Sequence, residues 1–106
     1  MPDLNPIIHA TSRLRVMTTL ATLAPGDRLS FTALQGTLGL TTGNLSVHLT
    51  KLEEAGYVAI DKTFEGRRPA TYVSLTAAGR QAFDKYLTDL RALLKGLPPT
   101  AEPTRT

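Results

Sequence analysis

The chain has 106 residues, 42% of them hydrophobic and 20% charged, with a formal net charge of +3 and no cysteine. That length suits one domain with a single core and no separate sensor domain, and the lack of cysteine excludes a disulfide framework or a thiolate metal site. Met1-Pro2-Asp3-Leu4 lacks the basic start and apolar run of a secretion signal, and no segment approaches membrane-spanning length, so a cytoplasmic location is expected.

Asn5-Pro6 reads as an N-cap followed by Pro at the first helical position, opening a turn at Ile7-Ile8-His9. From about Thr11 a longer helix is predicted, with Leu14, Val16, Met17, Leu20, Ala21, Leu23 and Ala24 on a wide apolar face. Ala24-Pro25-Gly26-Asp27 should stop it, because Pro25 disfavours helix at Ala24. Arg28-Leu29-Ser30 is then a short extended piece. Ser30 caps a second helix over 31–38, with Phe31, Leu34 and Leu38 as its buried stripe and Gly39 as the left-handed residue after it.

Thr41 caps a third helix, and this helix organises the rest. At 100° per residue Leu45, Leu49 and Leu52 share one face, with His48 and Ala55 on its shoulder. Gly43, Val47 and Thr50 point the other way, flanked by Asn44, Ser46 and Lys51. A helix meant only to stay dissolved would carry more Lys and Glu there. Two short helices joined by about three residues including a Gly have helix-turn-helix spacing.

Gly56 ends the third helix, and residues 57–64 alternate like a strand. Glu65-Gly66-Arg67-Arg68-Pro69-Ala70 reads as a polar loop, and residues 71–75 as the returning strand. A helix-turn-helix followed at once by a hairpin with a basic tip is a winged helix. Thr76 caps a last helix from Ala77 to about Lys95, whose Phe83, Leu87, Leu90 and Leu94 form a heptad-like seam. With Ile7 and Ile8, that seam reads as a dimer interface, the alternative being that it packs on the domain's own core.

The expected architecture is mainly α with a small β-hairpin wing, a winged helix-turn-helix extended by a C-terminal dimerisation helix. It forms one domain over 1–96: helix-turn-helix about 30–55, wing about 57–75, dimer helix about 76–95. Residues 97–106 are expected to be a flexible tail.

Several runs together resemble the small winged-helix transcriptional regulators of bacteria and archaea, akin to the MarR and ArsR groups. They are Arg13-Leu14-Arg15-Val16-Met17, Phe31-Thr32-Ala33-Leu34, residues 40–49 and 51–58, Phe64-Glu65-Gly66-Arg67-Arg68-Pro69, and Leu75-Thr76-Ala77-Ala78-Gly79-Arg80. The resemblance covers roughly residues 4–94. It departs at Ala10-Thr11, where the family pattern has a Ser-Pro cap. It implies a homodimer, held by the first and last helices, on a pseudo-palindromic operator in double-stranded DNA. Two-fold symmetry would set two third helices about 34 Å apart, one turn of DNA.

The DNA-contact residues expected on this basis start with the third helix: Thr41, Thr42, Gly43, Asn44, Ser46, Val47, Thr50 and Lys51. Asn pairs with adenine, Val47 and the Thr methyls meet the thymine methyl, and Lys51 reaches a guanine or a phosphate. Gly43, which costs the helix about 1 kcal/mol relative to Ala, allows close backbone approach. Arg67 and Arg68 reach the minor groove or its flanking phosphates, with a surface pair to Glu65 as the bland alternative. Lys62 and Thr71 serve phosphates, as do Ser30 and Thr32 at the start of the second helix. His48 reads as a half-buried residue satisfied by a local hydrogen bond, and Arg13 and Arg15 as structural ion-pair formers first and phosphate contacts second.

Catalysis finds no support: there is no Gly-rich phosphate loop, no nucleophile paired with a histidine, and Glu53 and Glu54 point to different sides of one helix. His9 and His48 lie far apart in sequence, so neither metal nor cofactor is expected. A small-molecule effector would have to enter between the dimer helices and the DNA-reading body, and nothing identifies one. Charges over 41–75 cancel, Lys51, Lys62, Arg67 and Arg68 against Glu53, Glu54, Asp61 and Glu65. That balance sustains an alternative: a winged-helix protein-interaction module without DNA binding.

Overall fold

The computed structural model describes residues 3–96, so the expected tail lies outside the described residues. In chain order the elements are α1 (Thr11–Ala21), β1 (Arg28–Ser30), α2 (Phe31–Leu38), α3 (Thr42–Glu54), β2 (Val58–Glu65), β3 (Arg68–Leu75) and α4 (Ala77–Lys95). The strands form one antiparallel sheet in the order β1-β3-β2. No helix among the described residues is long and apolar enough to cross a membrane.

Local rules set most of the helix starts. The hydroxyls of Ser30, Thr41 and Thr76 accept from the backbone N–H three residues on, at Ala33, Asn44 and Gly79. Asn5 Oδ1 accepts from the N–H groups of Ile7 and Ile8, closing the turn before α1. Gly39 lies in the left-handed region at φ 67° and ends α2. Ala10, standing where a Ser-Pro cap was expected, contributes no side-chain bond to α1.

The core is one cluster of apolar side chains. Val16, Met17 and Leu20 of α1, Leu34 and Leu38 of α2, and Leu45, Leu49 and Leu52 of α3 meet Val58, Val73, Phe83 and Tyr86. Each such side chain contributes about 1.5–3 kcal/mol on full burial. Three on one face of α3 therefore suffice to hold its opposite face toward solvent. The Tyr86 hydroxyl is 2.8 Å from His9 Nδ1, so the buried ring keeps a polar partner.

Three expectations need correcting. First, α1 ends at Ala21 rather than at Ala24-Pro25, and Arg80 of α4 donates to the carbonyls of Ala21 and Leu23, at 3.5 and 3.3 Å. The guanidinium serves carbonyls that the end of a helix leaves without partners. Second, residues 65–70 are not a loop. The strands run to Glu65 and resume at Arg68 around a two-residue turn, Gly66-Arg67. Gly66 has φ +65° and Arg67 does not share a positive φ, the pattern of a type II′ turn that needs glycine first. Pro69 is tolerated because β1 reaches only as far as Tyr72, leaving that edge of β3 open.

Third, Ile8 and Phe83 are not free for a dimer seam. They are 0% and 7% exposed within a single chain, because α4 turns Gly79, Phe83 and Tyr86 onto the core. Leu87 and Leu90, also expected at the seam, are half-buried against that core, as is Ile7, whereas Leu94 is 53% exposed.

Candidate nucleic-acid interface

Thr41, Thr42, Gly43, Asn44, Ser46, Val47, Thr50 and Lys51 are all exposed, so the sequence-predicted set forms one continuous face of α3. Val47 is 55% exposed at its centre, which is unusual for a valine in a small folded chain. Much of the polar side-chain capacity around it is already organised. Thr41 caps the helix, Thr50 Oγ1 donates to the Ser46 carbonyl at 2.9 Å, and Gln35 Nε2 donates to Thr42 Oγ1 at 3.1 Å across the helix-turn-helix corner. Gln35 is a contributor that the sequence reading passed over. No local pattern announces a bond from one helix to the next.

Register decides the rest of the surface. On β2 and β3 the paired rows Val58/Leu75, Ile60/Val73, Lys62/Thr71 and Phe64/Pro69 share one face of the hairpin. Ile60, Lys62 and Thr71 line a cleft with Phe31 and with Thr42, Ser46, Leu49, Thr50 and Glu53. Lys62 and Thr71 thus face α3. Ser30 and Thr32 line a second cleft together with Glu65, Arg68, Pro69 and Thr71, so the start of α2 and the wing border one recess that holds both an acid and a base.

The opposite face of the hairpin holds the acids. Arg28 Nη1 pairs with Asp61 Oδ2 at 2.8 Å while its guanidinium lies 4.0 Å from the centre of the Tyr72 ring. The Tyr72 hydroxyl donates to Glu65, and the bonded carboxylate raises its pKa above the usual phenol value. Glu65 is therefore engaged by Tyr72, not by the wing arginines. Among the described residues neither Arg67 nor Arg68 has an ion-pair partner, and both are exposed. The balance of charges over 41–75 conceals a partial separation: Asp61, Glu65 and its register partner Arg68 lie behind the wing, Lys62 in front of it and Arg67 at its tip.

A family profile described as a winged helix DNA-binding domain matches residues 12–94, most of the chain. The chain belongs to that family. An uncharacterized protein of Methanocaldococcus jannaschii is 34% identical over 91 residues, 86% of this chain and 96% of the relative. A solved transcriptional regulator homologue from Pyrococcus horikoshii OT3 is 33% identical with a TM-score of 0.76, covering 85% of this chain and 86% of that one. A MarR-family protein from Porphyromonas gingivalis W83, 16% identical over 86% of this chain and 85% of its own, shares the fold at a TM-score of 0.64. The relatives bearing functional names are transcriptional regulators, not enzymes.

Within this winged helix protein His48 and Arg13 join α3 to α1. Arg13 donates through Nε to the Ile7 carbonyl at 2.6 Å, and its Nη1 lies 3.4 Å from His48 Nδ1. Among the described residues Arg13 forms no ion pair, contrary to expectation, and the partner of His48 lies 35 residues away rather than nearby in sequence. Burial first, then the charges of Arg13 and Lys51, lower the pKa of His48 from the ordinary 6.5. A histidine lowered on folding binds fewer protons folded than unfolded, so its contribution to stability is present above pH 6.5 and is lost as pH falls through the folded value. A proton NMR titration should place the His48 midpoint below 6.5, and Arg13→Gln should move it upward. A midpoint that Arg13→Gln leaves in place would dissolve the Arg13 contact.

Phe64 is the other residue missed, 68% exposed near the end of the wing. Its period-2 spacing from Val58, Ile60 and Lys62 already lay within the expected strand, but periodicity does not tell that this end of the row has no core to cover.

Proposed function

We propose that this winged helix protein is a homodimeric transcriptional regulator that binds a pseudo-palindromic operator. The exposed face of α3 enters the major groove and the Arg67-Arg68 end of the wing reaches the minor groove. The observation that carries this reading is the sorting of charge across the wing. Among the described residues Arg67 at the turn and Arg68, which stands across the hairpin from a Glu65 that Tyr72 engages, form no ion pair, and they share one body with a helix face of small, mostly uncharged side chains. Such a face suits base edges, and unpaired guanidinium groups suit phosphates and the narrow minor groove. The same sorting weakens the case for a protein-interaction module, which rested on the cancelling charges.

Leu94, with the partly covered Ile7, Leu87 and Leu90, is the apolar surface a second copy would cover. Two-fold pairing then supplies two reading helices about one DNA turn apart.

The test is duplex binding at several salt concentrations for the wild type and for Arg67→Ala/Arg68→Ala. Each lost phosphate contact makes the plot of log affinity against log salt shallower by about 0.9. The double variant in a two-fold complex should therefore lose about 3–4 from the slope. Unchanged affinity with an unchanged slope would remove the wing from the interface, and a wild type that retains no duplex at low salt would remove DNA altogether.

A further inference from the structure

We propose that Phe64, backed across the hairpin by Pro69, is an apolar contact that rests against the deoxyribose walls of the minor groove. This rests on the reading of the wing as a DNA-contacting element. Phe64 and Pro69 are register partners at the outer end of a row whose inner end is core. Along that face the pairs run from Val58/Leu75 and Ile60/Val73 to Lys62/Thr71 in the cleft, then to Phe64/Pro69 in solvent. An aromatic ring that is 68% exposed here packs on no core and serves no strand end.

Its neighbours define the occupant. Lys62 is two residues away on the same face, and Arg67 stands at the turn just beyond. The nearby acids, Asp61 and Glu65, lie on the opposite face, held by Arg28 and Tyr72. An apolar ring between cations, on a face with no acid of its own strand, matches a surface of sugar walls edged by phosphates. A second copy of the same wing would bring like charges together. The face is also continuous with the cleft that α3 shares with the hairpin, so DNA lying on α3 passes in front of it. Apolar wedges and arginines are the pair of side-chain types that minor-groove binders use.

An apolar contact releases no counterions, whereas an arginine on a phosphate does. This separates Phe64 from the arginines beside it. The probe is a duplex selected by the wild-type protein from a random-sequence library. Phe64→Ser should lower affinity about tenfold for one wing, or about a hundredfold for two, at every salt concentration and with the wild-type slope. Phe64→Leu should retain most of the affinity. Hydroxyl-radical cleavage, which attacks sugars from the minor groove, should reappear at the wing positions in Phe64→Ser, while methylation protection of guanines in the major groove persists. Because the ring is exposed, both variants should melt with the wild type, and Phe64→Leu remains informative if the serine variant does not.

Wild-type affinity and sugar protection in Phe64→Ser would overturn the proposal. So would a loss of affinity accompanied by a shallower slope, which would mean that Phe64 only places the arginines. A wild type that selects no duplex would instead defeat the DNA reading of the whole protein, a result recognisably different from either.

Discussion

Val47→Asp should reduce affinity for a selected duplex by about 10²–10⁴ while leaving the melting temperature nearly unchanged. Val47 is the apolar centre of the exposed α3 face and touches no part of the core, so the substitution alters the surface and not the fold. In the proposed complex the change removes a contact to a thymine methyl and sets a carboxylate against base acceptors and phosphates. A base contact is worth about 1–3 kcal/mol of discrimination, and a two-fold complex loses two of them. Val47→Thr, which keeps a methyl and the side chain's shape, should cost far less. Fluorescence anisotropy with the same duplex measures both. A loss below about threefold in Val47→Asp would mean that this face does not meet base edges, since a groove contact of even about 1 kcal/mol exceeds that.

Gly79→Ala should lower the melting temperature by about 10–20 °C, the shift expected from about 2–3 kcal/mol of overpacking in a domain of this size. Gly79 is buried where α4 begins. A Cβ there would collide with the Tyr57 carbonyl oxygen, and the carbonyl carbon would stand only 2.8 Å away. That carbonyl cannot withdraw freely, because it also accepts from Thr76 N at 3.0 Å, while Thr76 Oγ1 donates to the Gly56 carbonyl at 2.6 Å. The helix start, the chain corner after α3 and the first residues of β2 are thus locked together. Gly36→Ala is the matched control. Nothing lies within 4 Å of its Cβ position, so the alanine should raise stability by up to about 1 kcal/mol through helix propensity. Calorimetry on the two variants should therefore show opposite signs. Equal melting temperatures would mean that α4 docks elsewhere.

These two positions differ in how far the sequence exposed them. Val47 was legible because its face follows from the spacing of Leu45, Leu49 and Leu52, and periodicity needs no knowledge of neighbours. Gly79 was visible only as part of a family-like run. Nothing local tells that a carbonyl 22 residues earlier occupies the space where its side chain would be. The wing shows the same limit differently. Beyond Lys62 the hairpin leaves the body, so neither face is buried, and on the returning side hydrophobic alternation does not report strand before Thr71. Pro69 then reads as a breaker, although register and an open edge accommodate it.

The amino-acid sequence by itself determined the element order, the caps at Asn5, Ser30, Thr41 and Thr76, and the inward and outward faces of α3. All of these follow from bonds and periodicities within a few residues. Only the tertiary structure decided that Ile8 and Phe83 belong to the protomer's own core, that Arg13 serves His48, and that Tyr72 takes Glu65 from the wing arginines. Those outcomes depend on which distant groups arrive within about 3 Å of one another, the reach of a hydrogen bond, and chain-local patterns do not carry that information.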